Sequence, residues 1–290
     1  MVEGELREAL RYALGANIKS LRRLSGGDIN DAFEVELSSG VNVFLKTNDS
    51  APASMFPAEA CGLEWLREAS ALRIPEVLAV SSGRDDEPKF LVLELLTPGQ
   101  QGRDFEQRLG RGLARLHRFG ASRFGFESDN FIGSLPQRNH AHASWSEFFW
   151  HERLEPQLKL AIASGRASAR MRQGFEKLAA RLSQLVGMSE PPSRLHGDLW
   201  GGNLHVDDTG APCLIDPAVY GGHREVDLAM MRLFGGFGED VFRAYQDEWP
   251  LAPGHAERIG LYQLYPLMVH VNLFGGGYAE SVERSLARYV

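Results

Sequence analysis

The chain has 290 residues, of which 43% are hydrophobic and 24% are charged, an ordinary composition for a globular protein that buries a substantial core. Its formal net charge of −7 argues against a nucleic-acid-binding protein that works through a broad basic surface, although a local basic pocket for phosphates remains open. No apolar run approaches the length that a membrane-spanning helix needs.

The cysteines and the N-terminus predict a cytoplasmic protein. Cys61 and Cys213 are far apart, lie in apolar contexts and form no CxxC pair, so we interpret them as free thiols and expect no zinc site. The first residues, MVEGELREALRYALG, have the pattern of an acidic amphipathic helix, without the basic and apolar regions of a signal peptide.

The first third of the chain is predicted to be rich in β-structure after this helix. Alternating and apolar runs predict strands at 32–37 and 41–46, joined by a Ser-Ser-Gly turn. A helix at 57–70 and strands at 75–81 and 90–96 are predicted to follow in chain order. Pro98-Gly99-Gln100-Gln101-Gly102 then interrupts the pattern and is interpreted as a linker.

The rest of the chain is predicted to be mainly helical. Apolar residues at helical spacing indicate helices at 104–119, 145–163 and 167–186, and helices again from about Val226 to the C-terminus. A non-helical insert, 194–217, separates the two helical regions and contains a short strand at 213–215.

These elements predict an α+β chain of two lobes. Residues 1–97 would form a small antiparallel sheet with one helix, and residues 98–290 a larger, mainly helical lobe. We expect a ligand cleft where the lobes join, because pockets are common at such junctions.

A glycine pair precedes the first hairpin strand. Gly26 and Gly27 would let the backbone approach a phosphate closely, as phosphoryl-transfer enzymes require. The pair lacks the G-x-G-x-x-G spacing and does not form a Walker A sequence, so its residues alone favour an ordinary turn.

Lys46 and Glu59 are a candidate ion pair. Lys46 ends a predicted strand, where a lysine is usually solvated, but Glu59 lies on the apolar face of the next helix together with Leu63 and Leu66. A buried carboxylate needs a partner, and Lys46 can provide one. The pair would fix the Lys46 amine where it can meet phosphate oxygens.

The insert contains the stretch LHGDLWGGN at 195–203. Asp198 is a candidate catalytic base, Asn203 an amide ligand for a metal, and Asp216, which closes the short strand downstream, an acidic ligand. Each of these residues alone is compatible with a turn. The three together within one insert form a more specific pattern for phosphoryl transfer.

Two neighbouring residues have alternative interpretations. His196 lacks the G-x-S-x-G or HExxH context of a catalytic histidine, so we interpret it as a structural residue that shapes the loop. Asp227 could accept hydrogen bonds from backbone N–H groups of the catalytic loop, or it could be an acid that favours the start of a helix.

Several segments resemble the fructosamine kinase (ketosamine-3-kinase) family, which is related to aminoglycoside phosphotransferases and choline kinases. LHGDLWGGN carries the HGD-x-x-x-x-N pattern of that whole group. DNFIGSLPQRN (129–139), WSEFFWHERLEPQL (145–158), DPAVYGGHREVDLAM (216–230) and HVNLFGGGY (270–278) look specific to fructosamine kinases. The resemblance extends from about Leu21 to Tyr278.

The resemblance implies a protein-kinase-like two-lobed fold that binds ATP and Mg²⁺. It also implies phosphorylation of the sugar O3 of ketosamines, the sugar adducts of amines such as lysine side chains. The ester destabilises the adduct, so the sugar leaves and the amine is recovered. The implied partner is a small or protein-bound ketosamine, and the implied assembly is a monomer or a homodimer.

Position by position, the resemblance implies a role for each candidate. Asp198 matches the catalytic base, and Asn203 and Asp216 match the Mg²⁺ ligands. Lys46 and Glu59 match the pair that orients the ATP phosphates. The remaining implied positions are the phosphate turn at Gly26 and Gly27, the adenine-contacting backbone at Glu94, Leu95 and Leu96, and a sugar platform at Trp200, for which packing within the loop is an equal alternative.

The chain departs from the family pattern at two positions. Asp28 stands where family members often have a Cys, so redox control through that Cys is not expected here. Gly201 stands where a Ser is common, and we expect this change to soften the loop without abolishing the chemistry.

Two other functions remain open at this point. An aminoglycoside- or choline-type kinase would need an acidic pocket for a cationic acceptor, which Glu225, Asp227 and Glu239 could furnish. A catalytically inactive nucleotide-binding module is the other, although such proteins commonly lose the Lys, the base or the metal-binding Asp, and all three are present here.

Overall fold

The computed structural model describes residues 3–24 and 30–290. The chain divides into two compact units. The first comprises the chain up to Phe105 together with Leu204–Pro217, and the second comprises Glu106–Asn203 together with Ala218–Val290. The functional labels that we give to residues 1–97 and 98–290 stay predictions.

In its described part, the first unit is built on a five-stranded antiparallel sheet with the order β1-β2-β3-β5-β4. Its strands, in chain order, are β1 (Ile18–Leu24), β2 (Asp31–Leu37), β3 (Asn42–Thr47), β4 (Val77–Val80) and β5 (Phe90–Glu94). Two helices belong to the same unit, α1 (Glu3–Leu14) and α2 (Met55–Glu68).

Helix α1 covers one face of this sheet. Leu6 and Leu10 lie one helical turn apart and pack into a buried cluster with Val35, Val43 and Leu45 of the sheet. Because side chains alternate along a strand, Lys46 projects from β3 to the face opposite Leu45. The sequence pattern of β3 therefore divides it into a core face and a face available for chemistry.

The segment 204–217 adds a short hairpin to the first unit, formed by β9 (Leu204–Val206) and β10 (Pro212–Leu214). The predicted linker meets this hairpin, since the Gly99 N–H donates to the Val206 carbonyl at 2.9 Å. A Cβ at Gly99 would lie 2.0 Å from the Asp207 carbonyl oxygen, so the close approach requires glycine.

The second unit is mainly helical. Its short strands form two antiparallel pairs, β6 with β7 and β8 with β11. The strands are β6 (Asn130–Ile132), β7 (Leu135–Gln137), β8 (Ser193–Leu195) and β11 (Tyr220–Gly222). The helices are α3 (Phe105–Phe119), which begins at the unit boundary, α4 (Trp145–Phe148), α5 (Glu155–Ala163), α6 (Ala169–Ala179), α7 (Leu182–Leu185), α8 (Glu225–Phe234), α9 (Glu239–Glu248), α10 (His255–Tyr262), α11 (Leu264–Phe274) and α12 (Tyr278–Leu286).

The predicted α+β class is confirmed, and individual elements differ at their ends and interruptions. The helix predicted at 145–163 starts with a Ser144–Glu147 capping box but contains a π-helical turn, Phe149–Leu154, between α4 and α5. The helix predicted at 167–186 ends at Ala179 and resumes as α7. Strand β1 was not predicted.

None of the helices in the described residues is long and apolar enough to cross a membrane.

Candidate active site

Three of the predicted site residues meet in the first unit. Lys46 comes from β3, Glu59 from α2, and Asp216 follows β10. The Lys46 Nζ donates to Glu59 Oε1 at 2.7 Å and also to Asp216 Oδ1. The predicted Lys46–Glu59 pair is therefore present, and Asp216 joins it from a position 170 residues further along the chain.

The two carboxylates keep the buried Lys46 charged. Burial tends to lower the pKa of this amine, but the negative charges of Asp216 and Glu59 outweigh burial and raise the pKa above its ordinary value. Burial raises the pKa of Glu59, and the like charge of Asp216 adds to that effect while Lys46 opposes it. The structure thus holds an ammonium group in place beside Asp216, whose side chain is 44% exposed.

The backbone of Asp216 has a left-handed conformation, with φ of 54°. Aspartate is one of the few residues other than glycine that adopts this region without a large penalty, because its short polar side chain can bond locally. Such backbone is typical of functional positions, where the surrounding structure sets the direction of one side chain.

Glu59→Gln tests the function of the buried pair. We expect the KM for ATP to rise about tenfold, because Lys46 loses one charged hydrogen-bond partner that fixes its amine. The free energy of unfolding should also fall, because the buried Lys46 ammonium keeps only Asp216 as a charged partner. Glu64→Gln, an exposed position on the same helix, is the matched control. Equal KM values in the two variants would contradict the role of Glu59.

The stretch 195–203 forms a loop of the second unit. Gly197 has φ of +83°, and a Cβ there would lie 2.0 Å from the Ala218 carbonyl oxygen, so only glycine fits. His196 is fully buried, and its Nδ1 accepts the N–H of Asp198 at 3.3 Å. This geometry agrees with a structural role for His196.

Asn203 lies beside Asp198. A 3₁₀ turn, Gly201–Asn203, brings the chain back, and Asn203 Nδ2 donates to the Asp198 carbonyl at 2.8 Å and to Asp198 Oδ2 at 3.2 Å. Both bonds use the amide nitrogen of Asn203. A metal ion would bind this side chain through its amide oxygen, Oδ1. Gly201 is packed closely, since a Cβ there would lie 3.2 Å from Gly236 Cα.

Asp227 fixes the start of this loop. Its carboxylate accepts the His196 N–H at 2.8 Å and the Gly197 N–H at 2.9 Å. His117 Nε2 donates to it at 3.1 Å, and His117 Nδ1 lies 2.8 Å from the Tyr245 hydroxyl. The loop-holding interpretation of Asp227 is confirmed, because the side chain is fully buried and contacts the loop backbone.

The electrostatics of Asp227 follow from these bonds. Burial would raise the pKa of the carboxyl, but the hydrogen bond and charge of His117 and the backbone N–H of Gly197 lower it below its ordinary value. The loop therefore rests on a carboxylate that is ionised at neutral pH.

The indole of Trp200 lies over Gly202, where a Cβ would be 2.2 Å from the ring, and 41% of the residue is exposed. The indole is therefore accessible, and the role of Trp200 as a platform for the sugar stays a prediction.

The predicted adenine-contacting segment begins where β5 ends. The Glu94 carboxylate accepts the Glu76 N–H at 3.1 Å and a hydrogen bond from Arg73 at 3.1 Å, while Leu95 and Leu96 follow outside regular structure. The side chain of Glu94 is thus used within the first unit, and a contact with adenine would fall to the backbone. The predicted phosphate turn at Gly26 and Gly27 lies outside the described residues.

Arg73 also anchors the turn between β9 and β10, which precedes Asp216. Asp207 accepts from Arg73 at 2.9 Å, from the Thr209 hydroxyl at 2.7 Å, and from the backbone N–H groups of Thr209 and Ala211. Burial would raise the pKa of Asp207, but these donors lower it to about 2.

The low pKa of Asp207 predicts a pH dependence of stability. Since the folded-state pKa of about 2 lies below the unfolded value of about 3.9, Asp207 stabilises the fold above about pH 4 and loses this effect as the pH falls toward 2. Asp207→Asn should lower the free energy of unfolding by about 2 kcal/mol at pH 7, with a difference from wild type that shrinks on acidification.

Urea unfolding at pH 7, 4 and 2 measures this dependence. Asp208→Asn is the matched control, because the neighbouring carboxylate is 62% exposed and 3.9 Å from Arg73. A difference between wild type and Asp207→Asn that stays constant with pH would contradict the assignment.

A pocket beside Asp198 contains residues that our reading of the sequence did not assign. Gly197 and Asp198 form part of its wall, and β6, α8 and α11 contribute the rest. The lining residues from outside the loop are Ile132, Val226, Met230, Tyr265, Pro266, Val269 and His270. The segment HVNLFGGGY, which begins at His270 and resembles fructosamine kinases, is the part of the sequence that points to this pocket.

Comparison with known proteins identifies the family. The profile of the fructosamine kinase family matches residues 5–290. The chain belongs to the fructosamine kinase family. A probable ketoamine kinase from Synechocystis sp. is 39% identical over 271 residues, which cover 93% of this chain and 90% of that protein.

Further relatives agree with this family. The chloroplastic protein-ribulosamine 3-kinase of Arabidopsis thaliana is 36% identical over 293 residues, covering 100% of this chain and 89% of that protein. The solved structure of a protein assigned as a fructosamine-3-kinase from Thermobifida fusca has a TM-score of 0.89 at 35% identity and covers 98% of both chains.

The kinase-like fold is also shared with more distant proteins. The structure of an aminoglycoside phosphotransferase with AMP-PNP and hygromycin B has a TM-score of 0.60 at 18% identity, covering 97% of this chain and 98% of that chain. This likeness concerns the fold, and the predicted protein-kinase-like fold is confirmed. The predicted cytoplasmic location stays a prediction.

Proposed function

We propose that this member of the fructosamine kinase family transfers the γ-phosphoryl group of ATP to the O3 hydroxyl of ketosamines. The observation that carries the proposal is the convergence of Lys46, Glu59 and Asp216 in a chain that the family profile matches over residues 5–290. Relatives named ketoamine kinase and protein-ribulosamine 3-kinase support the choice of acceptor.

The first unit supplies the groups for the nucleotide. Lys46 would meet phosphate oxygens and offset their charge, and Glu59 holds its amine in position. We assign the adenine contact to the backbone of Glu94, Leu95 and Leu96. We assign the phosphate turn to Gly26 and Gly27.

We assign Mg²⁺ binding to Asp216 and Asn203 on the chemistry of their side chains. Asp216 offers carboxylate oxygen and Asn203 amide oxygen, and Mg²⁺ prefers such ligands while it keeps water and phosphate oxygens in its other positions. When bound, Mg²⁺ neutralises charge that develops on the phosphate oxygens.

Asp198 is the proposed catalytic base. Its carboxylate would orient the O3 hydroxyl and accept its proton as the oxygen bonds to the γ-phosphorus, while the bond from that phosphorus to the bridging oxygen of ATP breaks. The products are ADP and the ketosamine 3-phosphate, and the proton passes from Asp198 to solvent. Asn203, through its bonds to Asp198, keeps the carboxylate oriented.

The three acids that could have furnished a pocket for the cationic acceptor of a choline- or aminoglycoside-type kinase are engaged in other interactions. Glu225 is buried and bonds to Arg258 at 2.6 and 2.8 Å. Asp227 is used by the catalytic loop, and Glu239 bonds to Arg232 at 2.9 Å. These three acids therefore do not form a pocket for a cationic acceptor, and the ketosamine interpretation is retained.

An acceptor panel tests the proposal. Fructosyl-lysine, ribulosyl-lysine, choline and kanamycin are each offered with ATP, and ADP formation is measured. We expect ADP formation with the two ketosamines alone. Turnover restricted to choline or kanamycin would overturn the proposal, and background ADP formation with every acceptor would indicate an inactive nucleotide-binding module. Our prediction of a monomer or homodimer stays a prediction.

A further inference from the structure

The pocket beside Asp198 has an apolar wall and one polar side chain with unassigned chemistry. Its wall consists of aliphatic and aromatic groups from β6, α8 and α11. The Tyr265 hydroxyl donates a hydrogen bond to Gln137 Oε1 at 2.6 Å. Outside the loop that carries Asp198, the imidazole of His270 is the polar side chain of the pocket that has no role in the proposed reaction.

The orientation of His270 is set by its own helix. Its Nδ1 lies 2.8 Å from the Pro266 carbonyl oxygen, and since a carbonyl only accepts, Nδ1 carries the proton and donates. Burial lowers the pKa of His270, so the imidazole is neutral at neutral pH. In that tautomer the other nitrogen, Nε2, is a hydrogen-bond acceptor.

Aromatic rings surround His270. Ring centroids of Phe234, Phe274 and Tyr278 lie 4.5, 5.4 and 4.9 Å from that of His270, and we call these four residues the His270 cluster. Phe274 is 65% exposed. The cluster therefore connects the wall of the Asp198 pocket with the solvent-exposed surface of the second unit.

The chemistry of a ketosamine matches this arrangement. Its amine nitrogen is attached to C1 and the reacting oxygen to C3 of the same sugar, so the amine must lie close to Asp198 when O3 does. The amine is a protonated secondary ammonium that needs an acceptor, and aromatic faces attract a cation. The carbon chain beyond the nitrogen is apolar in a lysine adduct and needs an apolar route to solvent.

We propose that the His270 cluster recognises the amine side of the ketosamine. His270 accepts a hydrogen bond from the ammonium group, and Phe274 and Tyr278 pack against the carbon chain that follows it. This inference rests on the proposed function and adds to it a group of residues that would favour amine-linked sugars over free sugars. His270 is a specificity residue in this account, and Asp198 remains the base.

A pair of acceptors separates this role from a structural one. One acceptor is a fructosamine of an alkyl amine, and the other is its ether analogue, in which oxygen replaces the N–H group. His270→Phe keeps an aromatic ring in the cluster and removes the acceptor nitrogen. We expect kcat/KM for the fructosamine to fall about 10- to 100-fold, mainly through KM, with little change for the ether.

Controls accompany this comparison. His255→Phe is matched, because His255 Nδ1 also bonds to a backbone carbonyl, that of Ala252 at 3.3 Å, and His255 does not line the pocket. We expect it to behave like wild type. His270→Gln restores an acceptor oxygen and should recover part of the loss, which also covers the case in which His270→Phe folds poorly.

The chain length of the acceptor tests the aromatic part of the cluster. Phe274→Ala should raise the KM for fructosyl-lysine several-fold and leave the KM for the methylamine adduct near that of wild type. Equal changes for both adducts would contradict packing of Phe274 against the carbon chain.

The outcomes distinguish a failure of the His270 inference from a failure of the proposed function. If wild type phosphorylates fructosamines but His270→Phe affects the fructosamine and the ether equally, or affects neither, the inference is overturned and the proposed function stands. If wild type phosphorylates no ketosamine, the proposed function itself fails and the inference fails with it.

Discussion

Asp198→Asn is expected to lower kcat for phosphoryl transfer about 100- to 10,000-fold while the affinity for ATP stays close to that of wild type. Asparagine has the shape of aspartate, but its amide does not accept the proton of the sugar hydroxyl. One of the two bonds from Asn203 goes to the backbone carbonyl of Asp198, so the loop keeps that support in the variant. Steady-state ADP formation with fructosyl-lysine gives kcat, and equilibrium titration with ATP gives the affinity.

Asp208→Asn provides the matched control for this experiment, because the same change is made at an exposed carboxylate of the β9–β10 turn. Its kcat should equal that of wild type. Full turnover by Asp198→Asn with normal ATP affinity would show that another group accepts the proton.

Asp227→Ala is expected to lower the free energy of unfolding by about 3–5 kcal/mol and to reduce kcat as well. The change leaves the His196 and Gly197 N–H groups and His117 Nε2 buried without the carboxylate that now accepts from them. Because these N–H groups immediately precede Asp198, loss of their acceptor should loosen the base as well as the fold. Urea unfolding and kcat measured below the unfolding transition give the two quantities.

Glu239→Ala is the matched control for this experiment. It removes an acid near the start of the next helix, α9, and the Glu239 side chain is 71% exposed and bonded to Arg232. The expected loss is at most about 1 kcal/mol, since exposed ion pairs contribute little. Similar losses of stability in the Asp227 and Glu239 variants would contradict the view that Asp227 holds the loop.

The parts of the site that could be predicted from the sequence are those that depend on residues close together in the chain or on one face of a helix. The spacing of Asp198 and Asn203 lies within one loop, and Glu59 could be paired with Lys46 because a carboxylate on an apolar helix face needs a partner. Asp216 was recognised as an acid that closes a strand. The structure adds that its carboxylate meets Lys46 directly.

The interactions that were missed join residues far apart in the chain. His117 contacts Asp227 across 110 positions and Tyr245 across 128, and no periodicity within α3, α8 or α9 predicts these contacts. The sequence does not single out His270, because α11 is apolar along most of its length and its pattern predicts only burial. The role that we propose for His270 depends on which pocket the helix faces, and that is a property of the tertiary structure.

Secondary structure shows the same division. Strand β1 lies at the edge of the sheet and is largely exposed, so IKSLRRL lacks the alternation that identifies a half-buried strand. The π-helical turn after Phe148 is set by packing, since Phe149 and Leu154 are both fully buried and a regular helix would rotate them differently.

The position of the phosphate in the product tests the central claim most directly. Fructosyl-lysine is incubated with ATP and the purified protein, and the product is examined by ³¹P and ¹³C NMR. The proposed function predicts coupling of the new phosphate to C3 of the sugar, followed by recovery of free lysine as the adduct breaks down. A phosphate on another hydroxyl, or unchanged fructosyl-lysine under conditions in which ATP binds, would contradict it.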